Sequence, residues 1–239
     1  TTCGFICEHP CEARCRRNMV DDAVNIRGLK RMAADFAGMV PPPKCAPSTG
    51  KTVAVIGGGP GGLSAAYYLQ LMGHQVTVYE MLPELGGMLR YGIPNYRLPK
   101  DRLGEDIQAI LDTGVQVKHG LRIGTDVTVQ ELRASYDAVL ITIGASTDKK
   151  LGIEGEDAEG VMSAVRFLRD VGKGINPDLA GQEVAIVGGG NVSMDAVRSA
   201  VRLGAKKVSI LYRRRTADMT ALPAEIEGAI AEGVEIRTL

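Results

Sequence analysis

Tryptophan is absent from this 239-residue chain, and all aromatics together make up 4% of it. That is too few for the stacking platforms on which proteins hold single-stranded nucleic acid. Net charge is missing as well. Lys plus Arg and Asp plus Glu each total 28, so no global field draws the chain to nucleic acid or to an anionic membrane. No run approaches the length of apolar residues that a membrane-spanning helix needs, and the first residues lack a signal-peptide pattern. A cytoplasmic, reducing setting is therefore expected, and disulfides are disfavoured there. Histidine is scarce: His9, His74 and His119 lie in unrelated contexts, which gives nucleophilic hydrolase chemistry no support. What remains is a 45% apolar chain, enough for one large or two modest domains. It begins at Thr1 rather than Met and stops at Leu239 after a strand-like run, so a fragment of a longer protein is expected.

Four of the five cysteines, Cys3, Cys7, Cys11 and Cys15, recur with three residues between each pair. On one continuous helix they would share a face, but Cys3 and Cys15 would stand roughly 18 Å apart. One zinc ion binds its thiolates at ~2.3 Å, so the chain must fold back, and Pro10 is placed to break it. Alternatively the cysteines serve two clusters, each completed by ligands upstream. Zinc, an empty reduced site and iron–sulfur all stay open on spacing alone. Cys45, in the proline-rich connector from Met39 to Gly50, reads as a plain free thiol.

Beyond that connector the pattern alternates strand and helix. TVAVIGGGPGGLSAAYYLQLMGHQVTVYE reads as a strand over 53–56, a glycine turn, a helix over 63–72 and a strand over 75–79. The stretch 81–100, rich in Gly and Pro, reads as an extended ligand-contacting loop. A helix is expected near 102–113, with short strands around Val115, Thr125 and Ala138. DAVLITIGA, 137–145, reads as a buried parallel strand ending in a glycine turn. After a polar link, a second strand–turn–helix–strand unit repeats the first, with VGGGNVSMDAV set against IGGGPGGLSAA. The fold class is α/β: two Rossmann-like dinucleotide-binding domains, over 48–160 and 161–239, preceded by a short helical, cysteine-rich segment over 1–47.

Each glycine loop has a chemical rationale. In Gly57-x-Gly59-x-x-Gly62 the first glycine allows the turn, the second lets backbone approach a pyrophosphate, and the third lets helix pack on strand. Glu80, 23 residues after Gly57, is placed to accept from a ribose hydroxyl pair. In the second copy Ser193 replaces the third glycine, and Arg213 stands where Glu80 stood, flanked by Arg214 and Arg215. An arginine there offers donors to a 2′-phosphate, which favours NADP(H) over NAD(H); the alternative is a solvated basic strand end. One acidic and one basic site suggest two cofactors, with FAD held at the first and NADPH at the second. A flavin downstream gives the thiols a purpose and favours iron–sulfur over zinc. Flavin disulfide reductases share the architecture, but no cysteine lies between Cys45 and Leu239. A non-catalytic nucleotide-binding scaffold or sensor is the alternative from another class.

The motifs CEHPCEARC, VAVIGGGPGGLSAA, GGMLRYGIPNYRLPK, VAIVGGGNVSMDAVRSAVRLGA and YRRR carry a resemblance over essentially the whole chain. In order and spacing it resembles the small (beta) subunit of NADPH-dependent glutamate synthase and its relatives. Those include the amino-terminal part of dihydropyrimidine dehydrogenase and the NADPH-binding subunit of electron-bifurcating ferredoxin:NADP oxidoreductases. The resemblance implies FAD at Gly57, Gly59, Pro60, Gly61, Gly62 and Glu80, with Gly86, Gly87, Met88, Leu89, Ile93 and Arg97 along the flavin and Gly144 nearby. It implies NADP(H) at Gly188, Gly190, Asn191, Val192, Arg213 and Arg214, and a [4Fe-4S] cluster on Cys3, Cys7, Cys11 and Cys15. It further implies a partner subunit that accepts the electrons. The family completes its flavin domain with a segment that follows the nicotinamide domain and carries a Gly-Asp motif.

Overall fold

The computed structural model describes residues 1–38, 40–147 and 150–238. They form two compact units: Thr1–Arg90 with Asn95–Gly144, and Tyr91–Pro94 with the chain from Ala145 onward. No helix among the described residues is long and apolar enough to cross a membrane.

The first unit opens with α1 (Thr2–Ile6), α2 (Pro10–Ala13), a 3₁₀ turn and α3 (Ile26–Ala37). It continues through β1 (Thr52–Ile56), α4 (Pro60–Leu71), β2 (Gln75–Glu80), the single turn α5 (Met88–Tyr91), α6 (Lys100–Leu111), β3 (Gln116–His119), α7 (Val129–Ser135) and β4 (Ala138–Ile141). The four strands pair in parallel in the order β3-β2-β1-β4. β1 and β2 are runs of β-branched residues buried on both faces, as central parallel strands require. α4 starts at Pro60, not at Leu63 as read, because a proline's fixed φ and missing N–H suit the first helical position.

Three further readings are corrected. β4 is not buried: Leu140 is 37% and Ile141 59% exposed. It lies at the sheet edge, so β1 covers only one of its flanks. Around Thr125 the backbone makes an isolated bridge, Ile123 to Val127, rather than a strand, with Gly124 turning at positive φ. The stretch 81–100 is not extended. It holds α5, and Leu85, Tyr91 and Leu98 are buried.

In the second unit α8 (Ala164–Gly172) lies inside what reads as a polar link. β5 (Glu183–Val187), α9 (Asn191–Arg202), β6 (Lys207–Tyr212), α10 (Pro223–Ala231) and β7 (Glu235–Thr238) follow. The strands are parallel in the order β5-β6-β7. Its core gathers Phe167 and Leu168 of α8, Met194 and Val197 of α9, and Val208 and Ile210 of β6. Arg198 of α9 bonds Glu225 at 2.7 Å and Glu232 at 2.9 Å, which ties α10 to α9.

β1 and β4 are clamped at their starts by Asp137. Its carboxylate accepts from Lys51 Nζ at 2.8 Å and from the Thr52 amide at 2.9 Å. The Lys51 ammonium, with the Thr52 donors, holds its pKa down at about 2. A carboxyl depressed in the folded state adds stability above its unfolded pKa and loses it as pH falls. Asp137→Asn should therefore melt earlier than the parent at pH 7, and the gap should close between about pH 4 and pH 2. A gap that stays constant over that window in thermal melts would show that the Asp137 carboxylate does not clamp the two strands.

Candidate nucleotide sites and the cysteine segment

The first glycine loop joins β1 to α4, and its glycines are required by contact. A Cβ on Gly57 would lie 2.5 Å from the Thr142 carbonyl oxygen, and one on Gly62 1.9 Å from the Gly57 carbonyl oxygen. The helix thus rests directly on the turn. Thr142, which the sequence reading did not single out, fastens this packing: its hydroxyl donates to the carbonyls of Ile56 at 2.9 Å and Gly57 at 3.1 Å. The signal was available as a hydroxyl residue directly after the last residue of a parallel strand. Gly59 and Gly61, by contrast, are uncrowded, with nothing nearer than 3.8 Å to a Cβ built on either. Gly59 caps α4 with no side-chain bond, so the first-turn N–H groups and the positive end of the helix dipole are left for an anion. Such a cradle suits an anionic group.

Glu80 ends β2 and is buried. Its carboxylate accepts from the amides of Gly58 at 2.7 Å and Leu82 at 2.8 Å. These bonds fix the group beside the loop, and each carboxylate oxygen keeps a second lone pair that can accept from a hydroxyl.

The next loop closes on the first. The Gly86 amide donates to the Gly58 carbonyl at 2.8 Å, and a Cβ on Gly87 would stand 2.8 Å from Gly59 Cα. Arg90 braces the loop through the Leu85 carbonyl at 2.6 Å and Glu84 at 2.7 Å, and Lys100 Nζ donates to the Leu89 carbonyl at 3.0 Å. Gly86, Gly87, Met88 and Leu89 therefore belong to the first unit with the glycine turn, as do Arg97 and Gly144, whereas Ile93 belongs to the second. Met88 is exposed, and Gly144 turns at positive φ on the surface. A cavity of about 590 Å³ on the same sheet is lined by Thr77, Tyr79, Lys118 and Tyr136 among others, but by none of these loop residues.

The second loop joins β5 to α9. Gly188 turns at φ 143°, and Ser193, buried at the third-glycine position, puts its Oγ 2.5 Å from where a Gly188 Cβ would be. Gly190 caps α9, again with no side-chain bond. Asn191 Oδ1 accepts from the Leu222 amide at 3.0 Å, and the Gly189 carbonyl accepts from Thr220 and Ala221, so a short segment is drawn over the turn. Val192 is exposed. The three arginines after β6 have separate environments. Arg213 is exposed, Arg214 stacks on the Tyr212 ring at 5.6 Å, and Arg215 pairs with Asp218 at 3.0 Å. Bonding from Arg215 also holds the Asp218 carboxyl below its usual range.

The cysteine segment does not run as one helix. It breaks between α1 and α2, where His9 adopts φ 42°, and Pro10 begins the second helix rather than ending the first. All four thiols are free; Cys3 and Cys11 are exposed, Cys7 and Cys15 half-buried. Amides of Val24 and Arg17 pointed at Cys15 lower its thiol pKa. Among the described residues no three Cys, His, Asp or Glu side chains gather closely enough to hold a metal ion. The donor set is thiolate chemistry suited to iron–sulfur, but these four cysteines do not assemble into a closed site. Cys45 is exposed, with its Sγ 3.5 Å from the Thr113 carbonyl oxygen.

Two parallel sheets, each turning through glycines into an uncapped helix N-terminus, place the chain in the class of proteins built on two dinucleotide-binding folds. More narrowly, the chain belongs to the pyridine nucleotide-disulphide oxidoreductase family, whose model matches residues 51–238. It is 45% identical to the NADP(+)-dependent formate dehydrogenase subunit beta of Moorella thermoacetica, over 97% of this chain and 36% of that one. It is 36% identical to the glutamate synthase [NADPH] small chain of Escherichia coli, over 98% of this chain and 53% of that one. The chain thus spans between about a third and a half of the length of these curated relatives. Among solved structures, FprA of Mycobacterium tuberculosis in complex with NADPH matches with a TM-score of 0.65 at 24% identity, over 78% of this chain and 48% of that one.

Proposed function

We propose that the chain is the nucleotide-binding part of an NADPH-dependent flavin oxidoreductase that passes electrons through its cysteine segment to a partner subunit. The observation that carries this reading is the contrast between the two strand ends. A buried carboxylate, Glu80, stands beside the first loop, and an exposed guanidinium, Arg213, stands after the matching strand of the second. The first set suits the ADP half of FAD: Gly57 and Gly62 let the turn and the helix close on each other, Gly59, Pro60 and Gly61 at the helix start leave room for the pyrophosphate, and Glu80 accepts from the ribose. The second suits NADPH: Gly188, Gly190, Asn191 and Val192 lie at the α9 N-terminus, and Arg213 and Arg214 meet the 2′-phosphate. A flavin held there by the first glycine turn and Glu80 would supply hydride acceptance from a nicotinamide and one-electron release. The chain's own part is to hold, orient and shield: Gly86, Gly87, Met88, Leu89, Arg97 and Gly144, of the same unit as the first glycine turn, would supply the wall around the first nucleotide.

The relatives' names support this reading. Formate dehydrogenase subunit beta and glutamate synthase small chain are both named for NADP(H) and as parts of larger assemblies. Disulfide chemistry is disfavoured, because no cysteine follows Cys45 in this chain. For Cys3, Cys7, Cys11 and Cys15 we favour [4Fe-4S] ligation, with the ligand sets completed by residues other than these four. The compartment that suits such thiols is a reducing cytoplasm.

Anaerobically purified protein should be yellow or take up added FAD, and should contain iron and acid-labile sulfide. Zinc without iron would overturn the cluster assignment. Colourless protein that refuses FAD would instead support the scaffold reading.

A further inference from the structure

The cavity of about 590 Å³ on the first sheet has a chemistry of its own. Its wall includes Thr52, Gln75 and Gln116, the first residues of β1, β2 and β3. The glycine turn leaves the other end of β1, so about 16 Å of extended strand separates Thr52 from Gly57. Every residue of the wall belongs to the first unit. The volume falls within the range of small-molecule sites, but the wall is more polar than most of them.

Packing holds its hydrogen-bonding groups in place. Tyr79 is buried with Ala54, Ile56 and Leu132, and Tyr136 packs against that cluster. The two rings meet edge to face with centroids 6.2 Å apart, and their hydroxyl oxygens lie 3.0 Å from each other. Lys118 Nζ donates to the Tyr79 hydroxyl at 3.3 Å and lies 5.2 Å from that ring's centroid. Burial, with the Tyr136 hydroxyl, raises the Tyr79 pKa, so Tyr79 stays protonated. Burial also opposes ionisation of Tyr136, but the hydroxyls of Thr77 and Tyr79 and the Lys118 charge outweigh it and lower the pKa. Tyr79 thus donates to Tyr136, and the Tyr136 O–H is left to donate to a ligand. Gln70 adds a further donor: its Oε1 accepts from the Val76 amide at 3.2 Å, which leaves the amide nitrogen beside Gly114 of the wall.

The charge is one-sided. No Asp or Glu lines the cavity. The groups that act on the Lys118 ammonium are the two phenols, with no carboxylate among the described residues. Asp137, next to Tyr136 in sequence, is turned to Lys51 and Thr52. A cation without a counter-charge, beside prepositioned O–H and N–H donors, is the complement of an anion.

We propose that this cavity binds a small oxyanion, a carboxylate or phosphate group held by the Lys118 ammonium and the Tyr136 hydroxyl. The site is separate from both glycine loops, so the proposal does not rest on the cofactor reading.

Calorimetric titration of the full chain tests it, with FAD and NADP+ added first so that the glycine loops do not compete for the probe. Inorganic phosphate and succinate are titrated separately. The parent should bind at least one of them at millimolar concentration or below; which one it takes tells a phosphate ligand from a carboxylate. Lys118→Gln should weaken that binding about ten- to a hundredfold, as for loss of a charged hydrogen bond, and Tyr136→Phe about three- to tenfold. Lys118→Arg should recover part of the loss, and Lys206→Gln, exposed on the second unit, should match the parent. Lys118 is exposed, so its variants should keep the parent's thermal midpoint; were Lys118→Gln to melt early, Tyr136→Phe, which keeps the ring, would decide alone. A parent that binds neither anion would overturn the proposal. So would binding that Lys118→Gln and Tyr136→Phe leave unchanged, because the anion would then sit elsewhere.

Discussion

Gly62→Ala should cost the protein about 3 kcal/mol of stability and its bound flavin, whereas Gly61→Ala, one residue earlier, should be tolerated. The two glycines differ in what a methyl group would meet. At Gly62 it would lie 1.9 Å from the Gly57 carbonyl oxygen and 2.7 Å from the Thr142 hydroxyl. The first is backbone of the turn and cannot swing aside, and the second is held in place by its bonds to the Ile56 and Gly57 carbonyls. α4 must lift off β1 or the turn must open, and either change disturbs the Thr142 bonds to Ile56 and Gly57. At Gly61 the nearest atom is Thr142 Cβ at 4.0 Å, which is ordinary contact, and alanine is the better helix former. For a chain of this size the Gly62 cost corresponds to a fall of about 6–12 °C in the thermal midpoint. Equal behaviour of the two variants in thermal melts and flavin retention would show that the helix does not depend on close approach at Gly62.

Arg213→Ser should lower kcat/KM for NADPH by about ten- to a hundredfold and leave NADH nearly unchanged. The guanidinium is exposed after β6 and so is available to a 2′-phosphate, which NADH lacks. Arg215→Ser is the comparison. That side chain is occupied by Asp218, and its removal should shift the preference much less. If Arg213→Ser weakened both nucleotides equally, the residue would serve the fold or the adenine rather than the phosphate.

Much of this arrangement was legible in the sequence because its signals are local. Runs such as TVAVI, a glycine turn and an apolar helix face mark each strand–turn–helix unit within about twenty residues. α7 was missed although it carries a local signal, the capping box of Thr128 and Glu131, formed in both directions. α8 escaped notice because its apolar residues, Phe167 and Leu168, are bracketed by arginines and the helix is short.

Other features depend on what lies alongside. The apolar composition of β4 marks a strand but does not say that one flank lacks a neighbour, so its exposure could not be read from it. Thr142 matters only because parallel pairing brings it level with the turn after Ile56. The cysteine spacing announces thiolate chemistry, but whether thiols converge depends on the break at His9, which is not a matter of spacing. The same holds for Glu80: its position after β2 was legible, whereas its bonds to the Gly58 and Leu82 amides required the fold.

We propose that strand ends of opposite charge hold two nucleotides, FAD at the first and NADPH at the second. Anaerobic titration of the FAD-loaded protein with NADPH and, separately, with NADH tests it most directly. NADPH should bleach the flavin, and NADH at the same concentration should do so far less well. Equal bleaching by the two, or a protein that binds no flavin, would contradict it.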